Sequence, residues 1–226
     1  MRAAASNFGV EMQKHWFFDL DGTLFDTEED IKLAWLATIR SLGLECPRFD
    51  ELYRTGPSLG DMAAILFPDA PSHAALAASI RRAFAPIYDT GGFPSTLPYP
   101  QAVHWIGELK SAGARLYVAT NKRMVPTRLI LAKFDFLDFF DGIYTSDMYV
   151  GARSVPPGVP TDRAIGKAQI LSLAIAERGI DPSDAVMVGD TILDVEAGKA
   201  NGMHTVGVAW GYGTRDELSS ADEIVG

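Results

Sequence analysis

The chain holds a single cysteine, Cys46. That excludes an internal disulfide and any cluster of thiolate metal ligands, and it fits a reducing, cytoplasmic setting. Basic residues are in short supply, with 20 Lys and Arg against 29 Asp and Glu and a net charge of −9. Non-specific binding to polymeric nucleic acid relies on a field of Lys and Arg that neutralises phosphates, so no such partner is expected. Any phosphate bound here belongs to a small molecule. Nor is there an apolar run near the roughly 20 residues that cross a bilayer, so no membrane partner is expected either. The opening stretch Met1–Lys14 contains Arg2, Glu11 and Lys14 and lacks the apolar core of about 7–15 residues found in signal peptides. It reads as a short tail. Internal repeats and low-complexity tracts are also missing.

What is present is an ordinary globular composition, 47% hydrophobic and 22% charged over 226 residues. That length permits one large domain, or a medium one carrying a smaller one. His15–Asp19 is an apolar run ending in Asp, the pattern of a buried parallel strand whose polar terminus emerges at the sheet edge. Similar runs recur at 116–119, 142–145, 185–188 and 205–208, with a possible last strand at 223–225. Helical patterns over 101–112, 125–134, 164–178 and 192–201 separate them. Strands alternating with helices predict an α/β fold with a doubly wound, Rossmann-like parallel sheet. Residues 27–93 break the alternation with helical stretches at 28–42, 59–67 and 74–88. The Gly- and Pro-rich segment 90–100 then reads as a linker. The expected organisation is a discontinuous core of 1–26 and 94–226 with a smaller all-helical domain at 27–93.

The most informative stretch is Asp19-Leu20-Asp21-Gly22-Thr23-Leu24-Phe25-Asp26. Alternate side chains of an extended chain share a face, so Asp19 and Asp21 can look into one site while Leu20 enters the core. Gly22 permits a tight turn whose backbone N–H groups could cradle an anion. The pattern also suggests a calcium-loop fragment, but the twelfth position from Asp19 is Asp30 rather than Glu, and Thr23, Phe25 and Thr27 intervene. A second cluster, Gly189-Asp190-Thr191-Ile192-Leu193-Asp194, passes from a strand into a helix and places two carboxylates four apart on one helix face. Taken alone, Asp190 could be a helix cap and Asp194 a solvated side chain. Four carboxylates in one crevice, however, could not all stay ionised without a cation, and a hard, oxygen-preferring ion such as Mg²⁺ suits them. Thr120 and Asn121 end another strand and offer a hydroxyl and an amide to a phosphoryl oxygen, or a helix cap. Lys167 falls in the first turn or so of a helix whose N-terminus returns to the same sheet edge. Arg163, four residues earlier, competes for that role.

In this order, Asp19-Leu20-Asp21-Gly22-Thr23, Thr120, Lys167 and Gly189–Asp194 resemble the four motifs of the haloacid dehalogenase superfamily. The helical insertion after the first motif is similar to the type 1 cap of its phosphoglycolate phosphatase and 5'-nucleotidase-like branch. The resemblance implies a Mg²⁺-dependent phosphomonoester hydrolase acting on a small phosphorylated metabolite, as a monomer or homodimer. Asp19 would attack phosphorus, and Asp21 would serve the leaving oxygen as acid and then water as base. Thr120 and Lys167 would stabilise phosphoryl oxygens. Asp19, Asp190 and the Asp21 carbonyl would hold the metal, with Asp194 in support, while Asn121, Gly22, Thr23 and Arg163 would line the substrate. Having Asp at 21 sets the chain apart from the dehalogenases and phosphonatases of the superfamily. Ala168 after Lys167, where many relatives have Pro, leaves the choice between Lys167 and Arg163 open and leans towards the nucleotidase-like subgroup.

The same motifs serve phosphomutases resembling β-phosphoglucomutase, and the cap would decide between the two activities. Within it, Arg54 is the residue that could meet a carboxylate or second phosphate. A receiver-type signalling module also combines Asp, Thr, Lys and Mg²⁺, but needs neither the insertion nor Asp21. Trp35, Trp105 and Phe139-Phe140 read as packing, and Trp210-Gly211-Tyr212-Gly213 as a loop bordering the site.

Overall fold

The computed structural model describes residues 14–226. The tail expected over Met1–Lys14 therefore lies, but for Lys14, outside the described residues. These divide into two compact units, one of residues 14–26 and 98–226 and one of Thr27–Leu97.

Six parallel strands form the sheet of the first unit: β1 (His15–Phe18), β4 (Arg115–Thr120), β5 (Gly142–Thr145), β6 (Ala185–Gly189), β7 (His204–Val208) and β8 (Glu223–Val225). Two-residue strands β2 (Phe25–Asp26) and β3 (Leu97–Pro98) stand where the chain leaves and re-enters this unit. The sheet order is β5-β4-β1-β6-β7-β8. The chain thus builds outwards from β1 in both directions, the doubly wound arrangement expected. In such sheets the crevice at the carboxyl end of the central strand, where the winding reverses, receives ligands. Register carries this through, since Phe18 lies opposite both Val118 and Val188. Residues 19, 119–120 and 189–190 therefore emerge at one level.

β1, β4 and β6 are buried on both faces, which explains their unbroken apolar runs. Phe17, Tyr117 and Met187 face helices α7 (Lys167–Arg178) and α8 (Ile192–Ala200) in one continuous core. Trp16 and Phe18 point the other way, and Trp16 meets Trp105 of α5 (Pro100–Ser111) edge-on at 6.3 Å. Helix α6 (Met124–Lys133) precedes β5. Phe139, read as packing, is 36% exposed and leans on Phe136.

The second unit holds helices α1 (Glu28–Ser41), α2 (Phe49–Leu52), α3 (Leu59–Leu66) and α4 (His73–Thr90). Its core gathers Trp35, Ile39, Met62, Leu66, Ile80, Phe84 and Tyr88. It extends to Leu97, past the 93 expected from composition. Phe93 packs edge-on against Tyr88. The buried carboxylate of Asp30, in the first turn of α1, accepts hydrogen bonds from the Ser95 and Thr96 backbone N–H groups and from the Thr96 hydroxyl. No described helix is long and apolar enough to cross a membrane.

Candidate active site

Three neighbouring strands deliver three functional groups to one edge. Asp19 follows β1, Thr120 ends β4 and Asp190 follows β6. The Asp19 N–H continues the ladder by donating to the Val188 carbonyl, which fixes where its side chain leaves the sheet. Its Oδ1 accepts from the Leu20 N–H at 2.7 Å, and its Oδ2 lies 2.7 Å from Lys167 Nζ.

Lys167 is the first residue of α7 and is 5% exposed. It bridges Asp19 and Asp194. The helix starts here, rather than near Ala164, because Gly166 is extended and the Ile165 N–H is spent on the Ser146 carbonyl. Arg163 is therefore in the preceding loop, exposed, and shares no helix face with Lys167. Burial pulls the Lys167 ammonium towards losing its proton, but the Asp19 and Asp194 charges more than offset this and drive its pKa up.

Asp194 is not the solvated side chain that its position alone allowed but is 1% exposed, and the residue that caps α8 is Thr191 rather than Asp190. One Asp194 oxygen accepts from the Thr191 N–H and hydroxyl at the start of α8, and the other accepts from Lys167. Asp190 is fully buried, with Oδ1 accepting from the Thr23 hydroxyl at 3.0 Å and Oδ2 from the Tyr212 N–H at 2.8 Å. Thr23, expected to line the substrate, thus acts on the neighbouring carboxylate. Gly22 is needed twice over: its φ is +79°, and a side chain there would run into the Asp190 carboxylate. The loop 210–213 does border the site, since a Cβ on Gly211 or Gly213 would also strike Asp190, and Trp210 Nε1 donates to the Thr23 carbonyl.

Asp19, Asp190 and Asp194 can bring one carboxylate oxygen each to within 4.8 Å of one another. Burial, and then the Asp194 and Asp19 charges, push the Asp190 carboxyl from its ordinary 3.8 to about 7. Burial likewise lifts Asp19 to about 6, against the lowering pull of Lys167. Lys167 alone leaves this cluster with surplus negative charge, and its donors are all hard oxygens. Both features suit Mg²⁺.

Asp21 is held by a residue that sequence reasoning passed over. Lys122 Nζ donates to its Oδ1 at 2.8 Å and its Oδ2 at 3.0 Å. The only available hint was the position of Lys122, two residues beyond Thr120 at a strand end. Thr120 is buried and its hydroxyl accepts from the Lys122 N–H. The Asn121 carbonyl accepts from the Ser146 hydroxyl. Arg54, in the helical unit, turns back on its own loop and donates to the Glu51 and Tyr53 carbonyls.

A doubly wound sheet with a carboxylate-lined crevice above its central strand defines a class, and comparison with known proteins narrows it. The family model of the haloacid dehalogenase-like hydrolases matches residues 14–202. The chain belongs to that family, and within it the chain is a phosphatase enzyme. It is similar to the phosphoglycolate phosphatase of Aquifex aeolicus, 31% identical over 202 residues covering 86% of this chain and 84% of the relative. It is also similar to the tyrosine-protein kinase PtkA of Mycobacterium tuberculosis, 29% identical over 92% of this chain and 66% of that protein. A crystal structure of a predicted phosphatase from Clostridium acetobutylicum superposes with a TM-score of 0.80 at 25% identity, over 95% of this chain and 94% of that one.

Proposed function

We propose that the protein hydrolyses a small phosphomonoester, phosphoglycolate or a compound of that kind, in the cytoplasm, through a phosphoryl group carried transiently on Asp19. The observation that carries this reading is the placement of Asp19, at the end of the central strand, beside a buried lysine and two further buried carboxylates.

Asp19 Oδ attacks phosphorus as the ester P–O bond breaks, and Asp21 gives its proton to the departing oxygen. Asp21 then takes a proton from a water molecule that attacks the same phosphorus, and the Asp19 carboxylate leaves with inorganic phosphate as product. Lys167 keeps Asp19 oriented and offers positive charge to the phosphoryl oxygens, and the Thr120 hydroxyl hydrogen-bonds one of them. Asp19, Asp190 and the Asp21 carbonyl would hold Mg²⁺, with Asp194 fixing Lys167 behind them. The ion would neutralise phosphoryl charge that a carboxylate nucleophile otherwise repels.

The test is Mg²⁺-dependent phosphate release from phosphoglycolate, nucleoside 5'-monophosphates, sugar phosphates and pyrophosphate. Turnover of one compound, abolished by Asp19→Asn and by EDTA while the circular dichroism spectrum is unchanged, is the expected result. Preference for a nucleotide would name a 5'-nucleotidase. Interconversion of glucose phosphates without release would replace the reading with a mutase.

A further inference from the structure

Lys122 makes a contact that the reaction as described does not use. Its ammonium grips both oxygens of Asp21, and the two side chains are 6% and 18% exposed. Its backbone is fastened on either side: the N–H donates to Thr120 Oγ1 at 3.2 Å, and the carbonyl accepts from the Ser146 N–H at 3.4 Å. The side chain therefore springs from a fixed base, and one short turn carries both the Thr120 hydroxyl and the clamp on Asp21.

An aspartate carboxylate turns broadly about its last torsion, so a bond to one oxygen would leave its plane loose. Two bonds from one ammonium fix that plane. A buried ion pair is in general a poor source of stability, because desolvation of both partners offsets most of the attraction. A pair serving the fold alone gains nothing from engaging the one carboxylate whose direction the chemistry depends on.

We propose that Lys122 is a positioning residue for Asp21, setting its carboxyl plane towards the ester oxygen that departs. This rests on the phosphatase reading above. It makes the contribution of Lys122 depend on the leaving group, which neither a phosphate-binding lysine nor a purely structural one would do. An aryl oxide departs with little help from an acid, whereas an alkoxide needs it.

The experiment compares kcat/KM on 4-nitrophenyl phosphate with that on whichever alkyl phosphate of the panel is turned over fastest. The proteins are wild type, Lys122→Met, Lys122→Arg and Asp21→Asn, all with Mg²⁺. Lys122→Met is expected to lose roughly tenfold or more on the alkyl ester beyond its loss on the aryl ester, in the same sense as Asp21→Asn. Lys122→Arg should recover part of the difference. An equal loss on both esters in Lys122→Met overturns the proposal. Should Lys122→Met fail to fold, Lys122→Gln decides in the same way, an equal loss on both esters there overturning the proposal. A wild-type enzyme that releases phosphate from neither ester defeats the phosphatase reading itself, which separates that failure from this one.

Discussion

At the scale of single residues, the buried carboxylates predict that removing a charge while keeping its hydrogen bonds stabilises the metal-free fold. With its pKa raised to about 7, Asp190 binds more protons in the folded chain than in the unfolded one between its ordinary 3.8 and that value. The contribution of Asp190 to metal-free stability is then fully present at low pH and is lost as pH rises through about 7. Asn at this position keeps both partners, its oxygen accepting from the Tyr212 N–H and its amide donating to the Thr23 hydroxyl, which can reverse. Thermal melts in EDTA should therefore show Asp190→Asn close to wild type near pH 4 and above it at pH 8, with no further gain on adding Mg²⁺. A variant less stable than wild type at pH 8 would contradict the cost of holding Asp190 ionised beside Asp19 and Asp194. Asp19 and Asp190 were legible because each follows an apolar strand, and Asp194 because it stands four residues after Asp190 in the helix that comes next. Lys122 was not, because its partner lies 101 residues away and no periodicity links them.

Among elements, α8 packs on β6 and β7 through Gly198, where a Cβ would come 2.6 Å from Thr205 Cγ2 and 2.9 Å from Met187 Cβ. Gly198→Ala would gain helix propensity but push the helix off the sheet, for a net loss of about 1–2 kcal/mol measured by urea unfolding. An unchanged or raised midpoint would mean the layer can relax. Element identity was readable for β1, β4 and β6, whose unbroken apolar runs are buried on both faces and too short for a typical helix. Boundaries were readable only where the cause is local. The start of α7 depends on the Ile165 N–H reaching the Ser146 carbonyl, and the end of the helical unit on Asp30 reaching Ser95 and Thr96. Both are tertiary hydrogen bonds.

For the molecule as a whole, every candidate Mg²⁺ ligand belongs to the unit of residues 14–26 and 98–226. Binding at 100 times the dissociation constant stabilises a folded state by about 2.7 kcal/mol. Hydrogen exchange with and without Mg²⁺ should place the added protection on β1, β4 and β6 and leave α1–α4 unchanged. Equal protection of the helical unit would show that the two units open together.

Asp30 bears on how freely the inserted segment can vary. It ties the beginning of the inserted segment to its end, and none of the six strands of the sheet lies between those points. A segment fastened at its own neck can be lengthened, shortened or exchanged by a gene without shifting any strand against its neighbour.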